Sequence, residues 1–117
     1  MSLADYPAMI AEASTALLRQ EQKTRKLQDI VAIALADVDQ QVAFDETLKN
    51  EAQRKARKAE LLADPDLASV LMDLQDAKDA QRELEIQLEQ LRSEFAVQKL
   101  AERRAIAVME LRACQVA

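Results

Sequence analysis

Residues 67–95, LASVLMDLQDAKDAQRELEIQLEQLRSEF, decide the fold of this chain. Mostly apolar residues recur there at alternating steps of three and four: Leu67, Val70, Leu74, Ala77, Gln81, Leu84, Leu88, Leu91 and Phe95. That spacing is the a/d seam of a heptad repeat, and it holds for about four heptads. The residues between the seam positions are mostly polar or charged. The stretch therefore predicts a helix whose apolar stripe must be covered by another helix.

The composition supports an all-α fold. The chain has 117 residues, a length typical of one domain, with no glycine, two prolines and 3% aromatic residues. A chain without glycine cannot build tight β-hairpin turns cheaply. We therefore expect a single all-α domain, residues 1–117.

The covering helix is predicted upstream, from about residue 7 to about residue 62. Its seam comprises Ile10, Ala13, Leu17, Gln20, Thr24, Leu27, Val31, Ala34, Leu35, Val38, Val42, Leu48, Ala52, Ala56, Ala59 and Leu62. Gln20 and Thr24 are a weak patch in that stripe, and any kink is expected between residues 20 and 26. The step from Val42 to Leu48 indicates that the stripe drifts away from a strict heptad.

The turn between the two helices is predicted at residues 63–65. Proline disfavours α geometry in the residue before it, and Pro65 suits the first position of a new helix. Helix 2 is then expected from about residue 65 to about residue 113. A turn this short makes the helices antiparallel neighbours, in a coiled-coil-like hairpin that places residue i level with about residue 128 − i.

That register makes two further predictions. The basic end of helix 1 is expected beside the acidic start of helix 2, which pairs Lys49, Arg54, Lys55, Arg57 and Lys58 with Asp73, Asp76, Asp79 and Glu83. The small residues Ala52, Ala56 and Ala59 are expected beside Met72, Leu71 and Leu67, because small against large side chains interdigitate.

The residue types present argue against catalysis. The chain has no histidine, which is the commonest general base and zinc ligand, and it has one cysteine. A phosphate-binding loop needs glycines that the chain lacks. We predict a non-enzymatic protein with no catalytic residues, no cofactor and no metal. The acidic group of helix 2 could hold a metal, but a solvated face is the favoured interpretation.

A second set of apolar residues lies off the seam, and the register places it in the middle of the hairpin. The set comprises Ile30, Ile33, Phe44, Ile86, Val97 and Leu100. Scattered apolar surface residues are normal, but six at one level exceed that expectation. We therefore predict a structural or adaptor protein that acts through its helix faces. It is expected to form a homodimer, as a four-helix bundle, or to bind another helical protein through this set.

Basic residues support an alternative function. The same register brings together a band at the open end of the hairpin that comprises Arg19, Lys23, Arg25, Lys26, Lys99, Arg103 and Arg104. Like charges at one level do not neutralise each other, so an anion such as a nucleic-acid phosphate could bind there. The net charge of −5 disfavours general nucleic-acid binding. The alternative is thus a nucleic-acid-associated accessory protein.

Three observations predict a cytoplasmic protein. A single cysteine, Cys114, forbids an internal disulfide and suits a reducing compartment. No apolar run approaches the roughly 18 residues that a membrane span needs. The N-terminus lacks the basic region of a signal peptide.

Residues 48–104 resemble a class of known proteins. The segments that carry the likeness are Leu48–Ala56 (LKNEAQRKA), Glu60–Asp64 (ELLAD), Glu83–Glu85 (ELE) and Leu91–Phe95 (LRSEF). They look like small helical proteins of bacterial phage and mobile-element regions. The resemblance implies a prokaryotic, cytoplasmic accessory protein near DNA recombination functions, and it assigns no functional residue.

Overall fold

The chain folds into helices joined by short turns. The structure, a computed structural model, describes residues 1–116, and this range contains no β-strand. A 3-10 helix at Leu3–Asp5 precedes three α-helices: α1 (Tyr6–Ala43), α2 (Glu51–Leu62) and α3 (Pro65–Val116). The predicted all-α class is confirmed, and α1 is helical without interruption through residues 20–26.

The chain divides into two compact units. The first unit combines Met1–Leu18 with the part of α3 that begins at Glu83. The second unit is Arg19–Arg82, which holds the rest of α1, all of α2 and the start of α3.

In the second unit, α1 and α3 pack as antiparallel neighbours. Thr24 of α1 hydrogen-bonds to Ala77 of α3. Farther along α1, Val38 lines a cleft together with Leu67 and Val70 of α3. Residue numbers therefore rise along α1 as they fall along α3, which is the direction that the predicted hairpin requires.

The part of the predicted seam that lies on α1 and α3 forms the core of both units. Val31 and Val38 of α1 and Leu67, Ala77 and Leu88 of α3 are buried. The remaining seam positions of α3 up to Phe95 are half-buried, as are Ile10, Ala13 and Leu17 of α1. Each long helix thus buries one stripe along this stretch, as its heptad spacing predicts.

The prediction of one continuous helix from 7 to 62 is wrong, because residues 44–50 interrupt it. The carboxylate of Asp45 accepts hydrogen bonds from the backbone N–H and the hydroxyl of Thr47. These bonds hold the pKa of Asp45 below its usual value, the hydroxyl having the larger effect. The Asn50 side chain then caps α2 by accepting from the backbone N–H of Gln53 at 2.9 Å. Local side-chain hydrogen bonds of this kind compete with helix and favour turns and caps.

The turn near Pro65 lies where it was predicted. Helix α2 ends at Leu62, and α3 begins at Pro65. The backbone carbonyl of Asp64 accepts the N–H of Ala68 at 2.9 Å, which closes the first turn of α3. Proline at this position costs the helix no hydrogen bond, since an N–H at the first helical position has no acceptor within the helix.

The predicted register is wrong, because it counted α2 as part of helix 1. Thr24 lies level with Ala77, whereas the 128 − i register places it level with Arg104. Three of the four basic residues of α2 pair elsewhere: Arg54 with Glu51, Arg57 with Glu60 and Lys58 with Asp39. Ala52, Ala56 and Ala59 are exposed rather than packed against α3.

Truncating Leu88 tests the seam. This side chain is 5% exposed, so Leu88→Ala should lower the free energy of unfolding by about 2–5 kcal/mol, the usual cost of a buried leucine truncation. Urea and thermal denaturation followed by circular dichroism measure the change. Leu18→Ala is the control, since Leu18 is 52% exposed, and its effect should stay within about 0.5 kcal/mol. Equal midpoints for Leu88→Ala and the unmodified chain would contradict the assigned core.

Candidate interaction surface

Polar side chains of α1 form hydrogen bonds to α3 inside the seam of the second unit. The hydroxyl of Thr24 lies 2.9 Å from the carbonyl oxygen of Gln20 and 3.3 Å from that of Ala77. The side-chain amide of Gln20 donates to the same Ala77 oxygen at 3.1 Å. The weak patch of the sequence is therefore a set of polar side chains with partners on α3. These bonds favour one register, because a shift of α1 along α3 would break them, at about 0.5–1.5 kcal/mol each.

An aromatic cluster lies in the first unit. The rings of Tyr6 and Phe95 stack with their centroids 5.5 Å apart. The ammonium of Lys99 lies 4.4 Å from the centroid of the Phe95 ring, which is the distance of a cation–π contact. No role was predicted for Tyr6, although its side chain is buried. Its position four residues before the seam residue Ile10 was the available signal.

The hydroxyl of Tyr6 has two polar partners on α3. It donates to a carboxylate oxygen of Glu94 at 3.4 Å and accepts from the side-chain amide of Gln98 at 3.0 Å. Burial raises the pKa of this hydroxyl most, and the negative charge of Glu94 raises it further. The cluster thus holds a neutral tyrosine that links α1 to α3.

The six apolar residues predicted as an association patch are all exposed. Phe44 is 80% exposed and Ile33 is 71% exposed. Ile30, Ile33 and Phe44 belong to the second unit, and Ile86, Val97 and Leu100 belong to the first. Their common level came from the 128 − i register, which is wrong. Their use in association stays a prediction.

The basic band is divided in the same way. Arg19, Lys23, Arg25 and Lys26 lie in the second unit, whereas Lys99, Arg103 and Arg104 lie in the first. The register that placed the two groups level is wrong, because Gln20 and Thr24 lie beside Ala77. Anion binding by either group stays a prediction.

Residues 99–115 of α3 are all exposed. They include four large apolar side chains for which no role was predicted: Ile106, Val108, Met109 and Leu111. The sequence carried a signal for Met109, because the heptad steps that continue beyond Phe95 lead to it.

Two features are absent from the described residues 1–116. No helix in this range is long and apolar enough to cross a membrane. This range also contains no group of three or more cysteine or acidic side chains that could hold a metal ion.

Comparisons of the chain with protein-family models, with curated proteins and with solved structures give no match. The resemblance to helical proteins of phage and mobile-element regions stays a prediction.

Titration of Tyr6 tests the aromatic cluster. It is the only tyrosine, and the chain has no tryptophan, so tyrosinate absorbance reports this one group. The midpoint should lie above about 10, the ordinary tyrosine value. Because the folded pKa is raised, stability should be full below that value and fall as pH rises through the folded pKa.

Two variants separate the causes of this shift. Glu94→Gln should lower the midpoint but leave it above the ordinary value, since burial has the larger effect. Glu89→Gln changes the net charge equally at an exposed position of the same helix, and it should leave the midpoint unchanged. A wild-type midpoint at the ordinary tyrosine value would contradict the described environment.

Proposed function

We propose that this chain is a non-enzymatic structural or adaptor protein that acts through exposed helix faces and associates with itself. The exposed large apolar side chains support this proposal most directly. Phe44 and Ile33 in the second unit and Val97, Leu100 and Met109 in the first all lie more than half exposed. Large apolar side chains that remain exposed can serve as protein–protein contact sites when they lie side by side.

The homodimer proposed here differs from the predicted four-helix bundle. That bundle placed a two-fold axis at the middle of the hairpin, where the six apolar residues would share one level. Because the register behind that level is wrong, we retain the homodimer and omit the central axis.

Sedimentation equilibrium at micromolar concentration tests self-association. We expect a dimer that persists from low salt to molar salt, because apolar burial is not screened by ions. A reducing agent must be present, so that exposed Cys114 cannot link two chains covalently. A monomer across the whole concentration range would contradict the proposal.

A second candidate function is binding to a nucleic-acid backbone. None of the seven predicted basic residues forms an ion pair with another residue of the described range 1–116, and all seven are exposed. Unpaired exposed cations can neutralise phosphates and release counterions, which makes binding steeply dependent on salt.

Replacement of Arg103 and Arg104 by glutamate tests this candidate. If these residues contact phosphates, the double variant should lose binding to a labelled duplex, or show a salt slope smaller by about two. The double variant Arg54→Glu/Arg57→Glu is the control, because both arginines already pair with glutamates of α2. No duplex binding by the wild-type chain at low salt would reject the candidate.

A further inference from the structure

The heptad seam of α3 continues beyond the part that α1 covers. In the first unit, the covered positions are buried or half-buried and follow steps of four and three: Leu84, Leu88, Leu91, Phe95 and Gln98. The same steps lead to four exposed positions: Glu102, Ala105, Met109 and Arg112. Tyr6 begins α1 and contacts Phe95 and Gln98, so the seam changes from covered to exposed just past these contacts.

The exposed part of the seam has an apolar centre. Met109 on the seam is 67% exposed. Ile106 and Val108, which flank the seam on its two sides in the heptad, are exposed as well. A seam with apolar flanking positions is the surface that another helix packs against. Within the described range 1–116, no residue covers it.

A second copy of the same segment matches this seam when the two helices run antiparallel. With a two-fold axis level with Ala107, Glu102 lies opposite Arg112 of the other copy, and this pair occurs twice. Ala105 lies opposite Met109 of the other copy, so a small residue faces a large one in both layers. Ile106 comes near Ile106 of the other copy on one side of the axis, and Val108 comes near Val108 of the other copy on the other side.

The parallel arrangement fits much worse. Identical residues then face each other, which sets Glu102 against Glu102 and Arg112 against Arg112. Like charges that face each other across an interface are unfavourable. Charge thus selects the antiparallel pairing, with opposite charges at both ends of an apolar centre.

We propose that residues 102–112 of α3 form an antiparallel homodimer contact about a two-fold axis level with Ala107. This proposal rests on the self-association in the proposed function and assigns it to one surface. The contact continues the seam between α1 and α3, so each α3 packs first against its own α1 and then against the other copy.

Charge reversal with rescue tests this pairing. The single variants Glu102→Arg and Arg112→Glu each replace two attractive contacts per dimer with two repulsive ones. Each should raise the dimer dissociation constant by about tenfold or more, from typical ion-pair energies. The double variant Glu102→Arg/Arg112→Glu restores opposite charges and should return the constant close to that of the wild type.

The rescue is specific to contacts between copies. Residues 102 and 112 are about 15 Å apart along one helix, at 1.5 Å per residue, so they cannot pair within a chain. Met109→Glu should abolish the dimer, because it puts two charges in the apolar centre. Leu111→Glu is the matched control: Leu111 is 60% exposed on the same helix but lies off the seam, and the dimer should be unaffected.

Sedimentation equilibrium under reducing conditions gives the dissociation constants, and circular dichroism checks that each variant keeps its helix content. If Met109→Glu and both single charge reversals leave the dimer dissociation constant unchanged, this contact is overturned, while the proposed self-association stays intact. A double variant as weak as the single variants would overturn the antiparallel pairing. A monomeric wild type would overturn both proposals together.

Discussion

The carbonyl oxygen of Ala77 sets the register of this fold, because it accepts hydrogen bonds from both Thr24 and Gln20 of α1. Apolar side chains alone allow helices to slip by a heptad at modest cost, since leucine, valine and alanine replace one another along the seam. A slip here would break both of these hydrogen bonds between α1 and α3, at about 0.5–1.5 kcal/mol each. One buried polar layer thus gives an otherwise repetitive seam a single alignment.

The sequence predicted the elements that depend on periodicity and on proline. The α3 seam from Leu67 to Phe95 and the start of α3 at Pro65 were both placed correctly, because heptad spacing and the missing N–H act within the chain itself. The break at residues 44–50 was missed. The six-residue step from Val42 to Leu48 signalled it but was interpreted as drift, and the cap formed by Asn50 and Gln53 was overlooked.

That error carried over to the candidate site. Counting α2 as part of helix 1 placed every α1 residue at the wrong level of α3. The predicted groups of six apolar and seven basic residues depended on that register. Their exposure followed from helical spacing and did not depend on the register. The burial of Tyr6 could have been predicted from its spacing to Ile10, but its contacts with Phe95, Glu94 and Gln98 could not, because these residues are far away in the chain.

The register is tested most directly by nuclear Overhauser effects from the Thr24 methyl group in the isotope-labelled chain. We expect cross-peaks between this methyl group and the side chains around Ala77. Cross-peaks from Thr24 to residues near Arg104, without any to Ala77, would contradict this register and restore the hairpin with a continuous first helix.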